Sequence, residues 1–130
     1  MYSLLGWFNA IALVLLTAAW WFPRLNRSVL KLKPSIAGPV SKNLRRLHKP
    51  LGLALAVAAP IHGYLALGSF RLHTGSLLYV SVLLTASAGG TFYKTRNKVI
   101  FKIHKALALM TVLMLLLHLL APGALFYLLN

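Results

Sequence analysis

His48 and His62 stand fourteen residues apart in one apolar stretch, and His104 and His118 stand fourteen apart in another. Imidazole is a common metal ligand, and within an apolar run it is a functional candidate because its unpaired burial is costly. Fourteen residues of α-helix rise ~21 Å and return to within roughly 40° of the starting face. The slight under-winding of a packed bundle shrinks that offset further. Each stretch therefore offers two imidazoles on one helical stripe, one near each side of a bilayer. The chemistry this spacing suits is axial ligation of two metal centres held one above the other.

The elements that must position these residues are membrane spans. The 130 residues are 59% hydrophobic with a mean hydropathy of +0.77, and a span needs about 20 apolar residues. Four fit: Ser3 to Phe22, Leu47 to Leu67, Gly75 to Phe92 and Val99 to Leu120. The expected fold is an all-α four-transmembrane-helix bundle forming one domain over residues 1–130. The first span lacks the basic start and the cleavage site of a signal peptide and reads as retained. Trp7 and Trp20–Trp21 mark its two interfaces.

The net charge of +14, with no Asp or Glu, would suggest nucleic acid in a soluble protein. Its distribution argues against that partner. Arg24, Arg27, Lys31, Lys33, Lys42, Arg45, Arg46 and Lys49 surround the first connection, and Lys94, Arg96, Lys98, Lys102 and Lys105 surround the third. The second holds only Arg71. By the positive-inside pattern, the first and third connections are cytoplasmic and both chain ends are outside (N-out/C-out). The expected location is a membrane, with a prokaryotic plasma membrane suiting so short and basic a chain. The basic loop over residues 23–46, with Pro23, Pro34, Pro39 and Gly38, reads either as a segment lying on anionic inner-leaflet lipid or as a docking surface for an acidic redox partner. Pro60 leaves the Ala56 carbonyl without its helical donor, so a kink or π-like adjustment is expected two residues before His62. Pro122 and Gly123 end the fourth span, leaving ALFYLLN as a short interfacial tail.

Spans two and four run in the same direction, which pairs the histidines across helices. His48 and His104 share the inner level, and His62 and His118 share the outer one. Each level offers two imidazoles without Cys, Asp or Glu. Structural zinc wants four protein ligands, catalytic zinc three, and a di-iron carboxylate centre has no carboxylates to use. Haem supplies four in-plane nitrogens and leaves two axial positions. Two stacked b-type haems between spans two and four match that count; covalent attachment is excluded by the absence of cysteine. Small residues should flank such groups: Gly75 and Gly89 in span three are again fourteen apart, and Gly52 is matched in span four by Ala108. Arg45, Arg46, Lys49 and Lys105 are placed to pair with inner propionates or simply to set topology. Arg71 and His73 are the candidates for propionate or substrate contact outside. The second nitrogen of each ligand needs an acceptor. Without carboxylates, backbone carbonyls or Ser/Thr hydroxyls must serve.

The segments HKPLGLALAVAAPIHGYL and IHKALALMTVLMLLLHLL resemble the ligand helices of the ferric-reductase-like and NADPH-oxidase transmembrane family. The paired glycines of span three resemble the four-helix core of quinone-dependent cytochrome b. This similarity covers roughly residues 45 to 120. It implies an inner haem on His48 and His104, an outer haem on His62 and His118, and electron transfer across the membrane. Members of the first family typically have about six spans and a flavin–nicotinamide module, which this chain does not contain. The expected role is therefore a subunit or module of a redox complex, hetero- or homo-oligomeric, with redox proteins or quinone as partners. Two other readings stay open: a ferric or quinone reductase or quinol oxidase with a substrate site at the outer haem, and a haem-free membrane scaffold.

Overall fold

A computed structural model describes residues 1–69 and 72–129. Among these, all regular structure is helical: α1 (Tyr2–Leu25), a π-helical turn (Asn26–Leu30), α2 (Pro34–Leu67), α3 (Thr74–Thr95), α4 (Lys98–Leu120) and a short α5 (Ala124–Leu129). The four long helices contain 24, 34, 22 and 23 residues. At 1.5 Å per residue the shortest is about 33 Å, enough to cross a hydrocarbon core of about 30 Å. All four are apolar enough to cross a membrane. The side chains that face outward agree with this: Leu53, Val57, Leu109 and Leu113 are each more than half exposed, and lipid is the solvent such a surface suits.

The expected spans are present, the first and third longer by four residues each and the fourth by one. Helix α2 begins thirteen residues before its expected start, so the 23–46 loop is corrected. Helix α1 runs on to Leu25, a π turn follows, and only Lys31, Leu32 and Lys33 separate it from α2. Lys31 takes a left-handed conformation that reverses the chain, and Pro34 at the first helical position has the φ a helix start requires. Ala37, Ser41, Leu44 and His48 are partly buried at three- and four-residue spacing, a helical stripe. That stripe overrides the propensity of Pro39 and Gly38 to break the helix. The tail likewise forms the helix α5.

Helix α1 packs along α2 and α3 along α4; the two hairpins meet mainly through α2 and α3, more weakly through α1 and α4. Helices α2 and α4 are thus diagonal across the bundle. The α3–α4 turn is held by Arg96, whose left-handed backbone donates its N–H to Phe92, and by Asn97, whose Oδ1 accepts from Val99 N at 2.8 Å. No π adjustment occurs at Pro60. Instead Tyr79 Oη on α3 donates to the Ala56 carbonyl at 3.3 Å, satisfying the group that the proline leaves bare.

One buried layer lies midway along the bundle. Leu13, Leu55, Val82 and Thr111 are all buried, at 5, 3, 7 and 4% exposure. Leu55 lies seven residues from both His48 and His62, Thr111 seven from both His104 and His118, and Val82 seven from both Gly75 and Gly89. One heptad therefore separates a closed middle layer from the histidine levels on each side.

Candidate functional site: two histidine pairs along the bundle

At the inner level, the rings of His48 and His104 have centroids 6.1 Å apart and planes at 76°. His48 Nδ1 lies 3.0 Å from the Leu16 carbonyl on α1, and His104 Nδ1 lies 2.8 Å from the Thr85 carbonyl on α3. A carbonyl only accepts, so both rings carry their proton on Nδ1. The lone pair that a metal requires is then on Nε2 in both. Metal–imidazole bonds of about 2.0–2.1 Å on either side of one ion place two ring centres about 6 to 6.5 Å apart. The observed separation of 6.1 Å is that of two imidazoles either side of one ion and also that of an edge-on ring contact.

At the outer level, His62 and His118 line one cavity of about 390 Å³, walled by α1, α2, α3 and α4. That volume is within the range of small-molecule and cofactor sites. Thr74, 1% exposed, fixes the His118 tautomer. Its hydroxyl donates to the Pro122 carbonyl at 2.7 Å. The same oxygen lies 3.0 Å from His118 Nδ1 and can only accept there, so His118 too keeps its proton on Nδ1 and its lone pair on Nε2. The expected acceptors are therefore found in both forms: two backbone carbonyls and one threonine hydroxyl.

Glycines let these rings approach the helices. A Cβ at Gly89 would stand 3.0 Å from His104 Cε1, and one at Gly75 would stand 3.1 Å from His118 Cε1. Gly6 on α1 does the same for His62, where a Cβ would meet Cε1 at 2.9 Å. Gly52 differs: its nearest neighbour would be Leu16 Cδ2 at 3.7 Å, an ordinary contact, so its place is in α1–α2 packing beside no ring.

The basic residues gather around the inner level. Lys49 Nζ on α2 lies 3.3 Å from the centre of the Tyr93 ring on α3, and Lys105 Nζ lies 4.9 Å from that of Phe101 within α4, both cation–π contacts. Arg45 and Arg46 are exposed on α2. At the opposite end of the bundle His73 precedes α3, with its ring centroid 6.2 Å from that of His118, and it lines the cavity. Arg71 lies outside the described residues.

Sequence reasoning reaches the four histidines and the Gly75/Gly89 pair but misses Gly6, Thr74 and the two carbonyls. Gly6 carries half of a signal, since it stands seven residues before the buried Leu13 just as Gly75 stands seven before Val82. Leu16 and Thr85 carry none, because a main-chain acceptor leaves no mark on residue type. Among the described residues no group of three or more His, Cys, Asp or Glu is gathered closely enough to hold a metal ion. No family model, curated protein or solved structure matches the chain.

Proposed function

We propose that the chain is a dihaem b-type membrane cytochrome, with one haem held by His48 and His104 and the other by His62 and His118. It passes electrons between partners on opposite sides of the membrane as a subunit or module of a redox complex. The observation that carries this reading is the tautomer pattern: His48, His104 and His118 each commit Nδ1–H to a protein acceptor. That arrangement orients an imidazole and raises its basicity as a metal ligand. The resemblance of the α2 and α4 segments to ferric-reductase-like ligand helices points the same way.

Haem, when bound, supplies the one-electron chemistry. The chain would hold each haem by two histidines per level, with glycines that admit the rings close to α1 and α3 and a buried layer at Leu13, Leu55, Val82 and Thr111 between the levels. That layer keeps water from the path between the levels. The levels are ~21 Å apart along the helices, and the edges of two porphyrins at those levels lie closer than their centres. By the positive-inside pattern, the basic end is cytoplasmic, so an electron donor or acceptor with an acidic surface is expected there.

The test is a reduced-minus-oxidised spectrum with haem quantification for the wild type, His48→Ala and His118→Ala. Two haems in the wild type, and loss of a different one in each variant, are expected. A colourless wild-type protein supplied with ample haem would overturn the proposal and favour the scaffold reading.

A further inference from the structure

Arg24 and Arg27 stand where the first apolar helix ends. Helix α1 carries no charged side chain from Leu4 to Phe22, a rise of ~27 Å against a hydrocarbon core of about 30 Å. Arg24 and Arg27 follow at ~3 and ~8 Å beyond Phe22, within a headgroup layer roughly 5–8 Å deep on each side. With Pro23 and Ser28 they line an open recess of about 390 Å³ at the basic end of the bundle. Both arginines are exposed, and the chain has no Asp or Glu to neutralise them. A cation held beside hydrocarbon without a counter-ion is costly, so an anion is called for at this place.

Local bonding makes the recess a surface of donors. Helical side chains lean toward the N-terminus of their helix, which for α1 is the membrane side. Arg24 shows this: its Nη1 donates to the Trp20 carbonyl, one turn back, at 2.9 Å, and its guanidinium carbon lies 4.2 Å from the centre of the Trp20 ring. The contact orders a long side chain and occupies one of its five N–H donors. Ser28 Oγ donates to the Arg24 carbonyl at 3.1 Å. Two main-chain acceptors that would repel an anion at a helix C-terminus are thus covered. Arg27, three residues on, neighbours Arg24 on the helix surface, and among the described residues its side chain makes no bond within the chain. A guanidinium fork matches two phosphate oxygens at once.

We infer that Arg24 and Arg27 form a binding site for the phosphodiester of an anionic glycerophospholipid at the end of α1. The site is independent of the dihaem reading and requires only that α1 crosses a membrane. Depth selects lipid over a soluble acidic protein. The two arginines lean into the headgroup layer, whereas Lys31, where the chain reverses, lies ~13 Å past Phe22 and beyond that layer.

The test is titration of the full-length protein in neutral detergent with phosphatidylglycerol, bound lipid being counted by native mass spectrometry. Arg24→Gln and Arg27→Gln are each expected to weaken the tightest site about fivefold, and the two together about thirtyfold. Arg27→Gln breaks no bond within the described chain, so its loss of lipid reads the site and not the fold. Phosphatidylcholine, with no net charge, is expected to bind wild type and double variant alike. The control is Lys98→Gln with Lys102→Gln, which removes the same charge from the start of α4 and is expected to leave the tightest site intact. Equal loss in the two double variants overturns the site, because a general attraction of the basic surface would then explain it. Unchanged affinity in Arg24→Gln/Arg27→Gln overturns it too. Displacement of the lipid by excess inorganic phosphate, or by a soluble polyglutamate, would overturn lipid as the occupant.

Discussion

The glycine at 89 offers the sharpest perturbation, because its neighbour at 90 is a built-in control. We predict that Gly89→Ala selectively destroys the inner site. Its Cβ would stand 3.0 Å from His104 Cε1 and 3.1 Å from Nδ1, against about 3.5–4.0 Å for an unstrained contact. The ring must retreat by about 0.5 Å or more, yet its Nδ1 is tied to the Thr85 carbonyl, one turn away on the same helix, at 2.8 Å. Losing that hydrogen bond is worth about 0.5–1.5 kcal/mol, and overpacking adds about 1–3 kcal/mol. At 1.4 kcal/mol per factor of ten, inner-site haem affinity falls roughly ten- to a thousandfold. Gly90→Ala adds a Cβ with nothing within 4 Å and leaves affinity unchanged. Haem quantification on both variants, with spectra to identify the level lost, is the assay. Equal damage from the two substitutions would refute the reasoning, because a general need for small residues where membrane helices pack would then explain Gly89.

Three further outcomes follow from named contacts. Thr74→Val removes the acceptor for His118 Nδ1–H and lowers outer-haem affinity about 10- to 100-fold, while Thr74→Ser retains it; haemin titration separates the two, and equal behaviour of Val and Ser would contradict the tautomer assignment. Tyr79→Phe leaves the Ala56 carbonyl bare beside Pro60 and destabilises the bundle by about 1–3 kcal/mol, read as a shift in thermal or denaturant unfolding; an unchanged midpoint would count against that bond. Leu55→Ala opens the layer between the levels, costs about 2–5 kcal/mol and leaves both pairs of ligands in place, so two haems on a less stable protein are expected.

The legible part of the fold was what repeats in side-chain chemistry. Apolar runs gave the four spans, and the fourteen-residue spacings of His48/His62, His104/His118 and Gly75/Gly89 gave the levels. The start of α2 was not legible, because Pro34, Gly38 and Pro39 signal a loop locally while the stripe through Ala37, Ser41 and Leu44 makes it a helix. Proline at 60 announced a missing hydrogen bond correctly but not its remedy, since the Tyr79 hydroxyl comes from another helix. The same limit applies at the site. Thr74 reaches His118 across forty-four residues of sequence, and a contact of that range is set by the packing of α3 on α4.

The central claim is that each chain binds two haems, each between two imidazoles. Its most direct measurement is iron and haem stoichiometry on the purified, haem-loaded protein, with electron paramagnetic resonance of the oxidised form. The account predicts two haems per chain, both low-spin with bis-imidazole signatures. One haem per chain, or a high-spin centre with an open axial position, would contradict it.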